Sequence, residues 1–147
     1  MMPGKKPKIL CLDDQRDNLR IRKLFLEQFG CEVVPVEEAQ ECLQVATHEQ
    51  FDLAILDYHL AGEVTGEDVA RDLRVMVPDL LLMMLSGDPN IPESAKECVD
   101  AVFLKGSSNP SELLDTIQSL MPEFELKPRR KPVSRDALME NLRHNSQ

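Results

Sequence analysis

Tryptophan is absent from the 147 residues, and aromatic side chains make up only 4% of the chain. A core from this composition is built of Leu, Ile, Val and Met. Positive charge is also scarce, with 17 Lys and Arg against 26 Asp and Glu and a net charge of -9. That balance excludes nonspecific nucleic-acid binding by the body of the protein, because phosphate backbones require basic patches. The deficit is uneven. Residues 1–121 hold 11 basic and 22 acidic side chains, whereas residues 122–147 hold 6 and 4. Long apolar runs are missing as well. The longest, Leu80 to Leu85, is far too short to span a bilayer. The run from Ile9 to Leu12 meets two aspartates before it reaches signal-peptide length. Cysteine pairing motifs are lacking too. Cys11, Cys31, Cys42 and Cys98 form no CxxC pair and no metal-ligand spacing, so isolated thiols in a reduced compartment are expected. The expected location is the cytoplasm, with no membrane contact.

What the chain does contain is five short apolar segments at even intervals: Ile9–Leu12, Val33–Val36, Leu53–Leu56, Leu80–Leu85 and Val102–Leu104. They are too short for buried helices and do not alternate cleanly, as expected of parallel strands covered on both faces. Pro35 marks the second as an edge strand. Helical spacing fills the intervals. Ile21, Leu24, Phe25 and Phe29 follow an i, i+3, i+4 pattern that Gly30 stops. Further helices are expected over Glu37–His48, over Gly66–Met76, from Pro92 to about Val99, and from Asn109-Pro110 with Leu113, Leu114, Ile117 and Leu120 inward. The (βα) unit thus occurs five times, which implies an α/β fold with a doubly wound parallel sheet. The domain is expected to span 5–122, ending at Met121-Pro122. Residues 123–147 are expected to form a basic extension, either flexible or with a single, marginally stable short helix over Ser134–Arg143.

Polar residues break these runs at one consistent place. Asp13 and Asp14 follow the first strand, Asp57 the third, Ser86 the fourth and Lys105 the fifth. Ligands of an open parallel sheet bind beyond the carboxyl ends of its strands. Each residue alone has a plain alternative reading: a helix-capping pair, a loop aspartate, a turn serine, a surface lysine. Their joint occurrence favours a site. Three clustered carboxylates need neutralisation, and a hard octahedral Mg²⁺ bound by oxygen provides it. An aspartate beside that ion and an ammonium group can accept a phosphoryl group.

From about Lys5 to Met121 the chain resembles a response-regulator receiver domain. The resemblance lies in Ile9-Leu10-Cys11-Leu12-Asp13-Asp14, Asp52-Leu53-Ala54-Ile55-Leu56-Asp57-Tyr58-His59-Leu60, Leu85-Ser86-Gly87 and Phe103-Leu104-Lys105. It implies a flavodoxin-like strand order 2-1-3-4-5. It further implies Asp57 as phosphoacceptor, with Asp14 binding Mg²⁺ (or Mn²⁺) directly and Asp13 assisting. The backbone carbonyl of His59 would complete the protein ligands, and Ser86 and Lys105 would hold the phosphoryl oxygens. The implied donor is a histidine kinase or phosphotransfer protein. The implied output is a protein contact through the fourth helix, fifth strand and fifth helix, with a homodimer compatible with it.

Three positions depart from the family pattern. Val102 stands where an aromatic residue usually precedes the lysine by three, and alternation points Phe103 to the opposite face. Gly106 replaces a cis-forming proline, so the loop after the fifth strand is expected to differ. The loop from Asp57 to Gly66 lacks the usual proline and is one residue longer. These departures concern output and remove no reactive group. Residues after 122 show no helix-turn-helix or catalytic output pattern, so a stand-alone switch or phosphorelay shuttle is expected, with a receiver fragment of a longer regulator as the alternative. Two other readings compete. A magnesium-dependent phosphohydrolase with an aspartyl nucleophile needs an acid/base aspartate where His59 stands. A pseudo-receiver scaffold would not need the full reactive set.

Overall fold

The computed structural model describes residues 6–106 and 109–128. The helix expected over Ser134–Arg143 lies outside the described residues, as does most of the basic segment before it. Five strands and five helices alternate along the chain. The strands are β1 (Lys8–Leu12), β2 (Glu32–Val36), β3 (Leu53–Asp57), β4 (Leu81–Ser86) and β5 (Ala101–Leu104). The helices are α1 (Arg16–Gln28), α2 (Ala39–His48), α3 (Gly66–Met76), α4 (Glu93–Glu97) and α5 (Pro110–Leu120). All strand pairs are parallel, in the order β2-β1-β3-β4-β5. Pro35 therefore lies on an edge strand, where its missing N–H costs no ladder bond on the open side.

Strand residues alternate between two apolar layers, because successive side chains point to opposite faces. Leu10, Leu12, Ala54, Leu56, Leu82 and Met84 pack under α2, α3 and α4. Ile9, Cys11, Leu53, Ile55, Met83 and Leu85 pack under α1 and α5. Burial on both faces explains why the runs read as continuously apolar. Cys11, Cys31 and Cys42 are free and buried, and burial pushes their thiols up to about 12, 11 and 12 respectively. Among the described residues, no helix is long and apolar enough to cross a membrane.

Two elements differ from the sequence expectation. The apolar spacing on α1 suggested Ile21 and Leu24 as part of its packed stripe, yet both are exposed, at 66% and 56%. Leu19 and Leu26 hold the inner positions instead. The sheet fixes the helix rotation, and the residue sharing that inner stripe is Arg22, which hydrophobicity alone assigns to the outside. Helix α4 is the second difference, being a single turn from Glu93 to Glu97. Arg74 of α3 braces the chain that follows it. Its guanidinium donates to the Cys98 carbonyl at 3.0 Å, the Leu80 carbonyl at 3.3 Å and Asp100 Oδ2 at 2.8 Å. The packed chain also runs past Pro122: Met121 and Phe124 are buried beneath the α1/α5 layer.

Candidate functional site

All five residues singled out by position lie at the carboxyl edge of the sheet. Asp57 is the last residue of β3 and Ser86 the last of β4, while Asp13 follows β1 and Lys105 follows β5. Pairing of β3 with β4 sets Asp57 opposite Leu85, one residue before Ser86. The Lys105 N–H donates to the Ser86 carbonyl at 2.7 Å, which continues the ladder to the lysine. The register of the apolar runs thus determines where the reactive side chains emerge.

Asp13 is fully buried, Asp57 is 5% exposed and Asp14 is half-buried. Carboxylate oxygens of the three lie within 4.8 Å of one another. The Lys105 ammonium bridges two of them, at 3.0 Å from Asp57 Oδ2 and 3.4 Å from Asp13 Oδ2. Asp13 Oδ1 accepts from the Gln15 N–H at 2.9 Å, which fixes its orientation at the entry to α1. Desolvation raises the Asp57 pKa above its ordinary value, Lys105 opposes the rise, and neighbouring Asp13 adds to it. Three hard oxygen donors so close, with their mutual repulsion only partly offset, fit a hard divalent cation of the Mg²⁺ type.

Ser86 is buried, and its hydroxyl closes a local turn. Its Oγ donates to the Asp88 carbonyl at 2.7 Å and accepts from the Asp88 N–H at 3.0 Å. His59 bridges Thr65 in antiparallel fashion, closing the loop beneath Asp57. That loop ends in a tight contact. A Cβ on Gly66 would collide with the Asp57 carbonyl oxygen and stand 2.8 Å from Met84 Sδ. Only glycine lets α3 begin directly under the aspartate.

The departures from the family pattern also have structural counterparts. Val102 is exposed and Phe103 packs into the α1/α5 layer, as strand alternation requires. No peptide bond is cis among the described residues, and Gly106 turns the chain with φ +78. Sequence reasoning missed one charged residue of the site. The Arg22 guanidinium reaches from α1 to within 3.5 Å of Asp13 Oδ2, through a side chain only 10% exposed. Its spacing from Leu19 and Leu26 was the available signal.

Comparison with known proteins agrees with the fold. Residues 9–118 match the family model described as response regulator receiver domain. The sensory/regulatory protein RpfC of Xanthomonas campestris pv. campestris is 31% identical over 120 residues, covering 77% of this chain and 16% of RpfC. The transcriptional regulatory protein GlrR of Escherichia coli is 28% identical over 102 residues, covering 69% of this chain and 23% of GlrR. The chain therefore spans under a quarter of the length of these curated relatives. Among solved structures, a CheY-like receiver domain protein from Methanospirillum hungatei superposes with TM-score 0.73 at 28% identity, covering 81% of this chain and 96% of the other. The response regulator TrrA of Thermotoga maritima, in complex with Mg²⁺–BeF, superposes with TM-score 0.73 at 26% identity, covering 78% and 99%.

Proposed function

This chain belongs to the response regulator receiver domain family of two-component signalling, and from that premise we propose that it is a phosphorylation switch whose acceptor is Asp57. The observation that carries the reading is the Lys105 bridge between Asp57 and Asp13 inside a three-carboxylate cluster. The donor is a phosphohistidine on a histidine kinase or phosphotransfer protein, in keeping with the family. An Asp57 carboxylate oxygen attacks phosphorus, the P–N bond to the donor histidine breaks, and the bond electrons leave with the imidazole.

Each residue has a role set by its position. Asp14 and Asp57, with the His59 carbonyl, would hold the Mg²⁺ (or Mn²⁺), and Asp13 would support it from the buried side. Bound there, the ion neutralises charge on the transferring oxygens. Lys105 stands 3.0 Å from Asp57 and pairs with a second phosphoryl oxygen. Ser86 gives up its bond to the Asp88 carbonyl and donates to the phosphoryl group instead, which alters the turn ahead of α4. Val102 lies exposed on β5, so that turn, rather than an aromatic side chain, carries the change toward the α4, β5 and α5 face. TrrA, solved with Mg²⁺ and BeF, supports the metal assignment by likeness of fold. The setting is cytoplasmic and the output is a protein contact. A single-domain regulator and the receiver portion of a longer one both suit the same switch.

Intact mass after incubation with acetyl phosphate and Mg²⁺ tests the assignment. The expected result is one labile phosphoryl addition, absent in Asp57→Asn and suppressed by a chelator. No addition from acetyl phosphate or from a phosphorylated histidine donor overturns it.

A further inference from the structure

Helix α1 places a cation where periodicity calls for an aliphatic side chain. Leu19 and Leu26 are its buried residues. Arg22 lies three residues after one and four before the other, on the same stripe. Its Nη2 is 3.5 Å from Asp13 Oδ2. Its Nη1 is buried with no hydrogen-bond partner among the described residues. A guanidinium held in an apolar layer with an incomplete set of partners is costly. Leucine would pack this position without that cost, so the charge itself is the property that calls for an explanation.

Its ionic partner is Asp13. Oδ2 of that fully buried carboxylate faces both Arg22 and Lys105, at 3.5 and 3.4 Å, and Oδ1 accepts from the Gln15 N–H. Asp14 makes no ion pair among the described residues. The two cations are not equivalent. Lys105 is 27% exposed in its side chain and also bridges Asp57, so it is placed to follow a phosphoryl group. Arg22 is nearly buried on the α1 stripe, and its one ion pair among the described residues is with Asp13.

We propose that Arg22 is a positioning residue acting through Asp13: a resident counter-ion that holds the Asp13 carboxylate on the α1 side and weakens the cluster's hold on a divalent cation. The inference rests on the metal-dependent reading given above. A fixed positive charge beside one carboxylate cancels part of the field that draws in a second cation. The same charge keeps Asp13 paired when Lys105 turns to the phosphoryl oxygens. A unit charge acting on a divalent ion across several ångströms is worth roughly tenfold in affinity even with the dielectric screening of bulk water.

The test is calorimetric titration of the full chain with MgCl₂, comparing the wild type with Arg22→Met, Arg22→Gln, Arg22→Lys and Asp14→Asn. The two neutral variants are expected to bind Mg²⁺ about tenfold more tightly. Arg22→Lys, which restores the charge, should stay within about twofold of the wild type. A role in packing alone predicts no such reversal by lysine. Neutral variants that bind as the wild type does, or more weakly, overturn the proposal, as does a lysine variant that shifts as far as methionine. If thermal melts show that neither neutral variant folds, Arg22 is a structural residue and the proposal falls. A wild type without Asp14-dependent Mg²⁺ binding overturns the metal reading and this inference together. Binding that is intact but indifferent to Arg22 removes this inference alone.

Discussion

Asp57 illustrates how a single residue trades stability for reactivity. Burial and the neighbouring Asp13 carboxylate disfavour its charge, and the Lys105 ammonium offsets only part of that. Its native pKa is therefore raised above the unfolded value. Between the two values the native state holds its proton more firmly than the unfolded chain does. Stability from this group consequently falls as pH rises through that window, and the full cost is present above it. Asp57→Asn removes the charge while keeping the shape. The expected result, without added Mg²⁺ at neutral pH, is a gain of about 1 kcal/mol, or roughly 3–6 °C in Tm. The advantage over the wild type should shrink as pH drops below the raised pKa. Paired thermal melts across a pH series check this, and a gap that ignores pH would sink the desolvation account.

At the scale of elements, what could be read from the sequence depended on which force set each one. Strand positions were legible because the sheet is covered on both faces, leaving five compact apolar runs bounded by polar residues. Asp13, Asp57, Ser86 and Lys105 were legible for the same reason, since each terminates one of those runs. Helix α3 was legible to the residue, with Thr65 and Asp68 forming a capping box at its start. The rotation of α1 was misread, because hydrophobicity favoured Ile21 over Arg22, although Arg22 shares the inner stripe of Leu19 and Leu26 and there meets Asp13. The shortness of α4 was expected, but its end at Glu97 rather than about Val99 was not legible, where Arg74 of another element bonds the Cys98 carbonyl and Asp100. Long-range polar contacts leave no periodic trace. The start of α3 also hides a constraint that no pattern announces, namely the approach of Gly66 to the Asp57 carbonyl. Gly66→Ala should cost about 1–3 kcal/mol through overpacking. It should also slow phosphoryl uptake, because the displaced backbone carries the acceptor. Urea unfolding and the rate of mass gain with acetyl phosphate would show both effects. Normal uptake in a destabilised variant would mean that the clash relaxes into α3 instead of β3.

Across the whole molecule, the sheet separates two apolar layers, and the chain after α5 completes one of them. Met121 and Phe124 are buried with Leu19, Leu26 and Ile117, and Leu126 packs at the margin. Gln118 ties this segment to α5. Its side chain donates to the Met121 carbonyl at 3.1 Å and accepts from the Leu126 N–H at 3.0 Å. The proline at 122 looked like a boundary because it ends a helix, but a helix stop is a backbone event and says nothing about where packing ends. Phe124 closes the α1/α5 layer on the side away from the acidic edge, so its removal should affect stability far more than chemistry. A chain ending at residue 122 should therefore lose about 3 kcal/mol relative to one ending at 128, and Phe124→Ala in the full chain should lose a similar amount. Both should still take up one phosphoryl group at temperatures where they remain folded. Urea denaturation with intact-mass readout measures the two quantities on the same samples. Equal stability of the 122 and 128 chains would show that Phe124 rests on the layer without supporting it. Lost phosphorylation in a folded 122 chain would instead mean that the α1/α5 layer sets the position of Lys105.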